Sequence, residues 1–139
     1  MASFELHSRL AADTAPIVSL PLCRVLLMND ARYPWVILVP AVADIREIYD
    51  LTCSDQTTLW QEITAVGEAV MTHFNGDKLN IGALGNQVPQ LHVHVIVRFG
   101  DDAAWPGPVW GQGQATPYDE PLLLQRVSEL RQRFEALTL

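Results

Sequence analysis

The chain has 139 residues, of which 49% are hydrophobic and 18% charged. That length and balance fit a single domain, residues 1–139, with a sizeable core, and they exclude a disordered chain. A formal net charge of −7 argues against a nucleic-acid polymer as partner, because phosphate neutralisation needs a basic surface, whereas a small phosphorylated ligand needs only a local cluster of donors.

The N-terminal stretch Met1-Ala2-Ser3-Phe4-Glu5-Leu6-His7 lacks a charged region followed by an apolar one, so no signal peptide is expected. No apolar run approaches the ~20 residues of a membrane span, and no membrane partner is expected. Cys23 and Cys53 stand in no metal-ligand spacing and read as reduced thiols of a cytoplasmic protein, with Cys23 buried in a strand.

Residues 4–20 read as irregular or short-stranded, with Phe4, Leu6 and Leu10 as anchors and Ile17-Val18-Ser19-Leu20 as an edge strand bounded by Pro16 and Pro21. Leu22–Met28 and Trp35–Val39 are stronger strands. Asn29-Asp30-Ala31-Arg32-Tyr33-Pro34 supplies turn chemistry between them, which predicts an antiparallel hairpin. Trp35 on that strand reads as packing. Asp44–Tyr49 has room for one or two helical turns. Then Thr52 or Ser54 offers an N-cap, and Leu59, Ile63, Val66, Val70 and Phe74 share one face of a long helix that stops at Asn75-Gly76. Lys78–Leu84 is another strand, carrying Asn80, and Gly85-Asn86-Gln87 turns the chain. Strand, strand, helix, strand, strand describes an antiparallel α+β sheet with a helix across one face. Residues 101–118 read as an ordered surface loop whose Trp105 and Trp110 must cover the core, a partner subunit or a flat ligand. Asp119 caps a final helix with Pro121 in its first turn and Leu123, Val127, Leu130 and Phe134 on one face.

The chemistry concentrates in Val88-Pro89-Gln90-Leu91-His92-Val93-His94-Val95-Ile96-Val97-Arg98. Period-two alternation predicts a half-buried strand with Leu91, Val93, Val95 and Val97 on the core face and Gln90, His92 and His94 on the other. Same-face neighbours lie roughly 6.7 Å apart along a strand, so one phosphate could touch more than one of these side chains. Two other readings stand beside this one: a solvated strand face, and a metal site. A zinc site would need further ligands, and the remaining histidines are His7 and His73.

Leu84 to Arg98 resembles the signature of the histidine triad (HIT) superfamily of nucleotide hydrolases and transferases, in which three histidines alternate with apolar residues after a Gly-Gln turn. His92 and His94 match the second and third histidines, and Gln90 stands at the first. The resemblance covers roughly residues 16–100, with residues 101–139 as a Trp/Pro-rich loop and helix. It looks most like the bacterial diadenosine-polyphosphate-hydrolase-like branch. It implies a homodimeric HIT-like fold and cleavage at the α-phosphate of an adenine nucleotide conjugate or dinucleoside polyphosphate. His92 would be the nucleophile, oriented by the backbone carbonyl of Gln90, and His94 a donor to phosphate or leaving group. Asn29 or Asp30 would bind the ribose, Asn86 the phosphate, and Asn80 is counted with them as substrate-binding. No protein-held cofactor is implied, although Mg²⁺ could accompany a polyphosphate. Gln90, and Pro34-Trp35 where the family has Gly-His, leave a second reading open: a nucleotide-binding protein without turnover.

Overall fold

The computed structural model describes residues 2–139. Five strands, β1 (Thr14–Ser19), β2 (Cys23–Met28), β3 (Trp35–Pro40), β4 (Lys78–Gly82) and β5 (Val93–Arg98), form an antiparallel sheet in the order β1-β2-β3-β5-β4. Three helices accompany it: α1 (Ser8–Asp13), α2 (Cys53–Phe74) and α3 (Glu120–Glu135). This is the antiparallel α+β sheet, with a long helix across one face, that the alternation and helix stripe predicted. The sequence order crosses over once: β4 lies outside β5, which puts β5 beside β3.

Alternation along β2, β3 and β5 sorts the apolar side chains onto two faces. On one face Val25, Leu27, Val36, Leu38, Val93, Val95 and Val97 meet the α2 stripe of Leu59, Ile63, Val66 and Val70. Burying each stripe residue contributes about 2 kcal/mol. The Thr52 hydroxyl caps α2 by accepting from the Asp55 N–H, and Asn75 ends it in the left-handed region at φ 53°. Asp119 caps α3 in the same way through the Leu122 N–H. That helix packs on β1, where Arg131 Nε donates to the Ile17 carbonyl and shields this edge of the sheet.

The opposite face differs from expectation, because it too is covered. Leu26, Trp35, Ile37, Val39 and Ile96 lie beneath Leu10, Tyr33, Val88 and Val109, with Phe4, Leu6 and Trp110 packed around them. An N-terminal arm and the Trp/Pro-rich loop form this second layer. The histidine strand is therefore buried at every position from Val93 to Arg98 rather than half-buried.

Other boundaries move by small amounts for local reasons. β1 begins at Thr14 and contains Pro16, tolerated on an edge strand at a register shift between Pro16 and Val18. The one or two turns expected over Asp44–Tyr49 are a single 3-10 turn, Ile48–Asp50. β4 stops at Gly82 instead of Leu84, because its last ladder partner is His94. The short α1 was not expected; at six residues with one buried side chain, Leu10, it is too brief to show a period.

Candidate functional site

His94 lies on β5 opposite Ile37 of β3 and Gly82 of β4, and His92 sits one residue ahead of the strand on the same face. Their ring centroids are 5.0 Å apart at an interplanar angle of 69°. They are only 7% and 5% exposed, and that exposure opens into a pocket of about 380 Å³. The two imidazoles are held by different partners. His92 Nδ1 lies 2.7 Å from the carbonyl oxygen of Gln90. A carbonyl only accepts, so Nδ1 carries the proton and the neutral ring keeps its lone pair on Nε2. His94 is held the opposite way, with the Trp35 indole N–H donating to its Nδ1 at 3.0 Å. Burial, and secondarily the repulsion that a protonated His92 would exert, push His94 down to about 4, so this ring is neutral at physiological pH.

The pocket's walls come from distant parts of the chain. Leu10, Met28 and Ile37 are part of its apolar surface, and Asn86 lines it from a turn in which Gly85 adopts φ +75°. Trp110 closes one side, edge-on to His94 at 5.4 Å, where it packs over Gly82. A Cβ at position 82 would lie 3.0 Å from the Trp110 ring, so the absence of a side chain there lets the indole in. The positive side chains Arg9 and Arg32 also line the pocket.

Of the residues singled out from sequence, His92, His94, Asp30 and Asn86 line this pocket together. Gln90 does not line it and acts on it only through its carbonyl, which holds His92. Its side chain turns to the N-terminal arm, accepting from the His7 N–H and donating to the Glu5 carbonyl, both at 2.8 Å. Asn29 accepts from the Tyr118 N–H and so tethers the end of the loop. Asn80 is drawn away by Arg98, which donates to its Oδ1 at 2.8 Å. Asp30 accepts from the Arg32 backbone and guanidinium and from the Thr116 N–H. Burial raises its carboxyl, but these bonds, led by the Arg32 side chain, outweigh it and hold Asp30 below the usual carboxylate range. Arg32 also donates to the Gln112 carbonyl and so ties the pocket wall to the loop.

Trp35 and Trp110 are the site residues that sequence reasoning placed elsewhere. Trp35 looked like packing, yet its N–H has a defined task. Trp110 was expected to cover the core, a partner subunit or a flat ligand, and it packs on the second core layer and against His94. Period two could have found Trp35, since it shares the face of Ile37, and Ile37 is the partner of His94. Trp110 gives no such signal, because an aperiodic loop carries no register. Among the described residues, no three His, Cys, Asp or Glu side chains gather into a metal-ligand cluster. Among the described residues, no helix is long and apolar enough to cross a membrane.

A buried pair of imidazoles on an alternating strand, one held by the carbonyl two residues earlier, agrees with the profile of the HIT domain family, which matches residues 9–101. The chain belongs to that family, which includes nucleotide hydrolases and transferases. Solved structures place it more narrowly. It is 51% identical to a histidine triad protein from Marinobacter aquaeolei VT8, covering 99% of this chain and 100% of that one with a TM-score of 0.95. A histidine triad protein from Bradyrhizobium japonicum is 48% identical, with 96% and 99% covered and a TM-score of 0.93. Another, from Sinorhizobium meliloti 1021, is 47% identical, with 94% and 96% covered and a TM-score of 0.91. No curated protein matches.

Proposed function

We propose that the chain is a nucleotide hydrolase or nucleotidyl transferase that works through a covalent intermediate on His92. The observation that carries this reading is the 2.7 Å contact between His92 Nδ1 and the Gln90 carbonyl, which leaves Nε2 as a lone-pair nucleophile at the pocket. His92 Nε2 would form a bond to the α-phosphorus as the bond to the leaving-group oxygen breaks, and water would then cleave the phosphorus–nitrogen bond. His94 would donate from Nε2 to a phosphoryl oxygen, with Asn86 donating from the pocket wall. Leu10, Met28 and Ile37 offer the base an apolar surface, and Asp30, with Asn29 behind it, would stand near the ribose. The substrate class that fits is an adenine nucleotide conjugate or dinucleoside polyphosphate. Any Mg²⁺ would arrive with the polyphosphate. The test is to quench a reaction and look by mass spectrometry for a phosphorus–nitrogen adduct. It is expected in the wild type and absent in His92→Ala; an adduct that persists in the variant rejects the assignment.

A second reading is a nucleotide-binding module without turnover. Its support is that Gln90 brings no third imidazole to the pocket, since its side chain is committed to Glu5 and His7. Calorimetric binding of AMP with no product after prolonged incubation would favour it. Turnover lost in His92→Ala would remove it.

The working unit we propose is a homodimer. β4 is an edge strand with Ile81 exposed, and α2 presents Trp60 at 48% exposure. Open strand edges and exposed large aromatics are surfaces that association covers. Sedimentation giving only the 15.5 kDa monomer at micromolar concentration would refute this.

A further inference from the structure

His94 sits between two indoles. Trp35 is its diagonal neighbour across the ladder, 3.0 Å away from Trp35 Nε1 to His94 Nδ1, and Trp110 packs edge-on from the loop. An indole N–H donates and has no acceptor capacity. The imidazole nitrogen facing it must therefore carry a lone pair, which places the single proton of neutral His94 on Nε2. Protonating Nδ1 would set two N–H groups head to head in a buried site. We propose that Trp35 is a positioning residue that keeps His94 as an uncharged Nε2–H hydrogen-bond donor, a role that rests on the pocket being a nucleotidyl-transfer site.

The surroundings of the ring agree. The groups packed on His94 are His92 from its own segment, Trp35 from β3 and Trp110 from the loop, with Tyr33 behind Trp35. The charged side chains around the pocket are Arg9 and Asp13 on one side, and Asp30 and Arg32 on the other. Asp30 is engaged by Arg32, and Asp13 pairs with Arg9 at 3.6 Å. Among the described residues no carboxylate hydrogen-bonds His94, so no ion pair stabilises an imidazolium there. Burial, and then the repulsion that a protonated His92 would exert, lower its basicity further.

A consequence for the leaving group follows. An uncharged Nε2–H can hold a phosphoryl oxygen, but it is not an acid that gives up its proton. As His92 Nε2 bonds to phosphorus, the bond from phosphorus to the leaving group breaks and its electron pair stays on the leaving atom. A phosphate or diphosphate carries that pair as a stable anion. An amine must be protonated as it leaves, and His94 does not supply that proton. The site is therefore matched to phosphoanhydrides rather than phosphoramidates.

Imidazole ¹⁵N spectra recorded without substrate test the positioning directly. In the wild type His94 should show the Nε2–H tautomer and stay neutral across the range in which a free imidazole titrates. In Trp35→Phe, which keeps an aromatic ring but removes the N–H, the tautomers should mix and the titration should move up by about one unit or more. A wild-type Nδ1–H tautomer, or a Trp35→Phe spectrum unchanged from wild type, overturns the proposal. Should the variant not fold, the wild-type spectrum alone decides the tautomer. In turnover, an adenylyl phosphoanhydride should exceed the matching phosphoramidate in kcat/KM by about 100-fold, the lower end of what general-acid assistance contributes. Equal rates overturn the leaving-group inference. Absence of any turnover rejects the enzyme reading while the spectra still judge Trp35, so the two failures are separable.

Discussion

Gln90 uses its main chain and its side chain for separate purposes. The carbonyl orients His92, while the amide joins the N-terminal arm that brings Leu10 and Arg9 to the pocket. Gln90→Ala keeps the first and removes the second. Two hydrogen bonds lost at about 1 kcal/mol each should loosen the arm. The expected result is faster amide exchange over residues 4–13 and a raised KM with kcat changed little. A collapse of kcat with an unaltered arm would show that the side chain acts on the chemistry itself. His94 contributes at the same scale to pH-dependent stability. Its native value of about 4 lies below the ordinary 6.5, so between these values the unfolded chain binds the proton that the folded chain refuses. Stability from this residue is complete above pH 6.5 and is lost as pH falls towards 4, by about 3 kcal/mol at most. Asp102 acts lower. Its hydrogen bonds to Arg98 hold it at about 2, so its contribution is lost only as pH falls from 3.8 through that value. Urea midpoints measured against pH should therefore slope between pH 6.5 and 4 in the wild type and flatten there in His94→Gln.

At the scale of elements, the long helix does more than present a greasy stripe. Glu62, on the face of α2 turned to the sheet, is 1% exposed, and its two carboxylate oxygens accept the Leu22 and Cys23 N–H groups, each at 2.8 Å. The pair of bonds fastens the helix to the β1–β2 turn and satisfies donors that burial would otherwise orphan. Glu62→Ala should cost about 3 kcal/mol, since bonds to a charged acceptor are the stronger kind and both N–H groups are left unpaired. Glu62→Gln, which retains one acceptor, should lose less. Chemical denaturation of the two variants checks this, and equal losses would mean that the second oxygen contributes nothing. Gly67, one turn further along the same helix, gives a close approach between helix and sheet: a Cβ there would come within 2.7 Å of the Leu79 side chain.

At the scale of the molecule, the two cysteines report on global opening. Cys53 is exposed at the start of α2, whereas Cys23 is fully buried on β2. Burial, and then the charge of Glu62, push the Cys23 thiol up, so it is both inaccessible and short of thiolate. A thiol reagent should modify one cysteine quickly in the native protein. The second should react at the rate of global unfolding, and accelerate with denaturant. Rapid modification of both would show that the β2 strand opens locally instead.

How much was legible in the sequence depended on whether a signal was local. Alternation in Leu91–Val97, the continuous apolar run Trp35–Val39 and the stripe Leu59–Val70 set strands and helix by their own periods, and Thr52, Asn75 and Asp119 marked the ends by their capping chemistry. The support of His92 was expected from the resemblance, which puts the carbonyl of the first triad position on it, and a carbonyl is indifferent to the side chain that Gln90 carries. The register that sets Trp35 diagonal to His94, the turn of Gln90 towards Glu5, the diversion of Asn80 to Arg98 and the fold of the loop that lays Trp110 on Gly82 were decided by the tertiary structure alone. Each joins segments remote in the chain, and hydrogen-bond direction and the space left by a missing Cβ exist only once those segments meet.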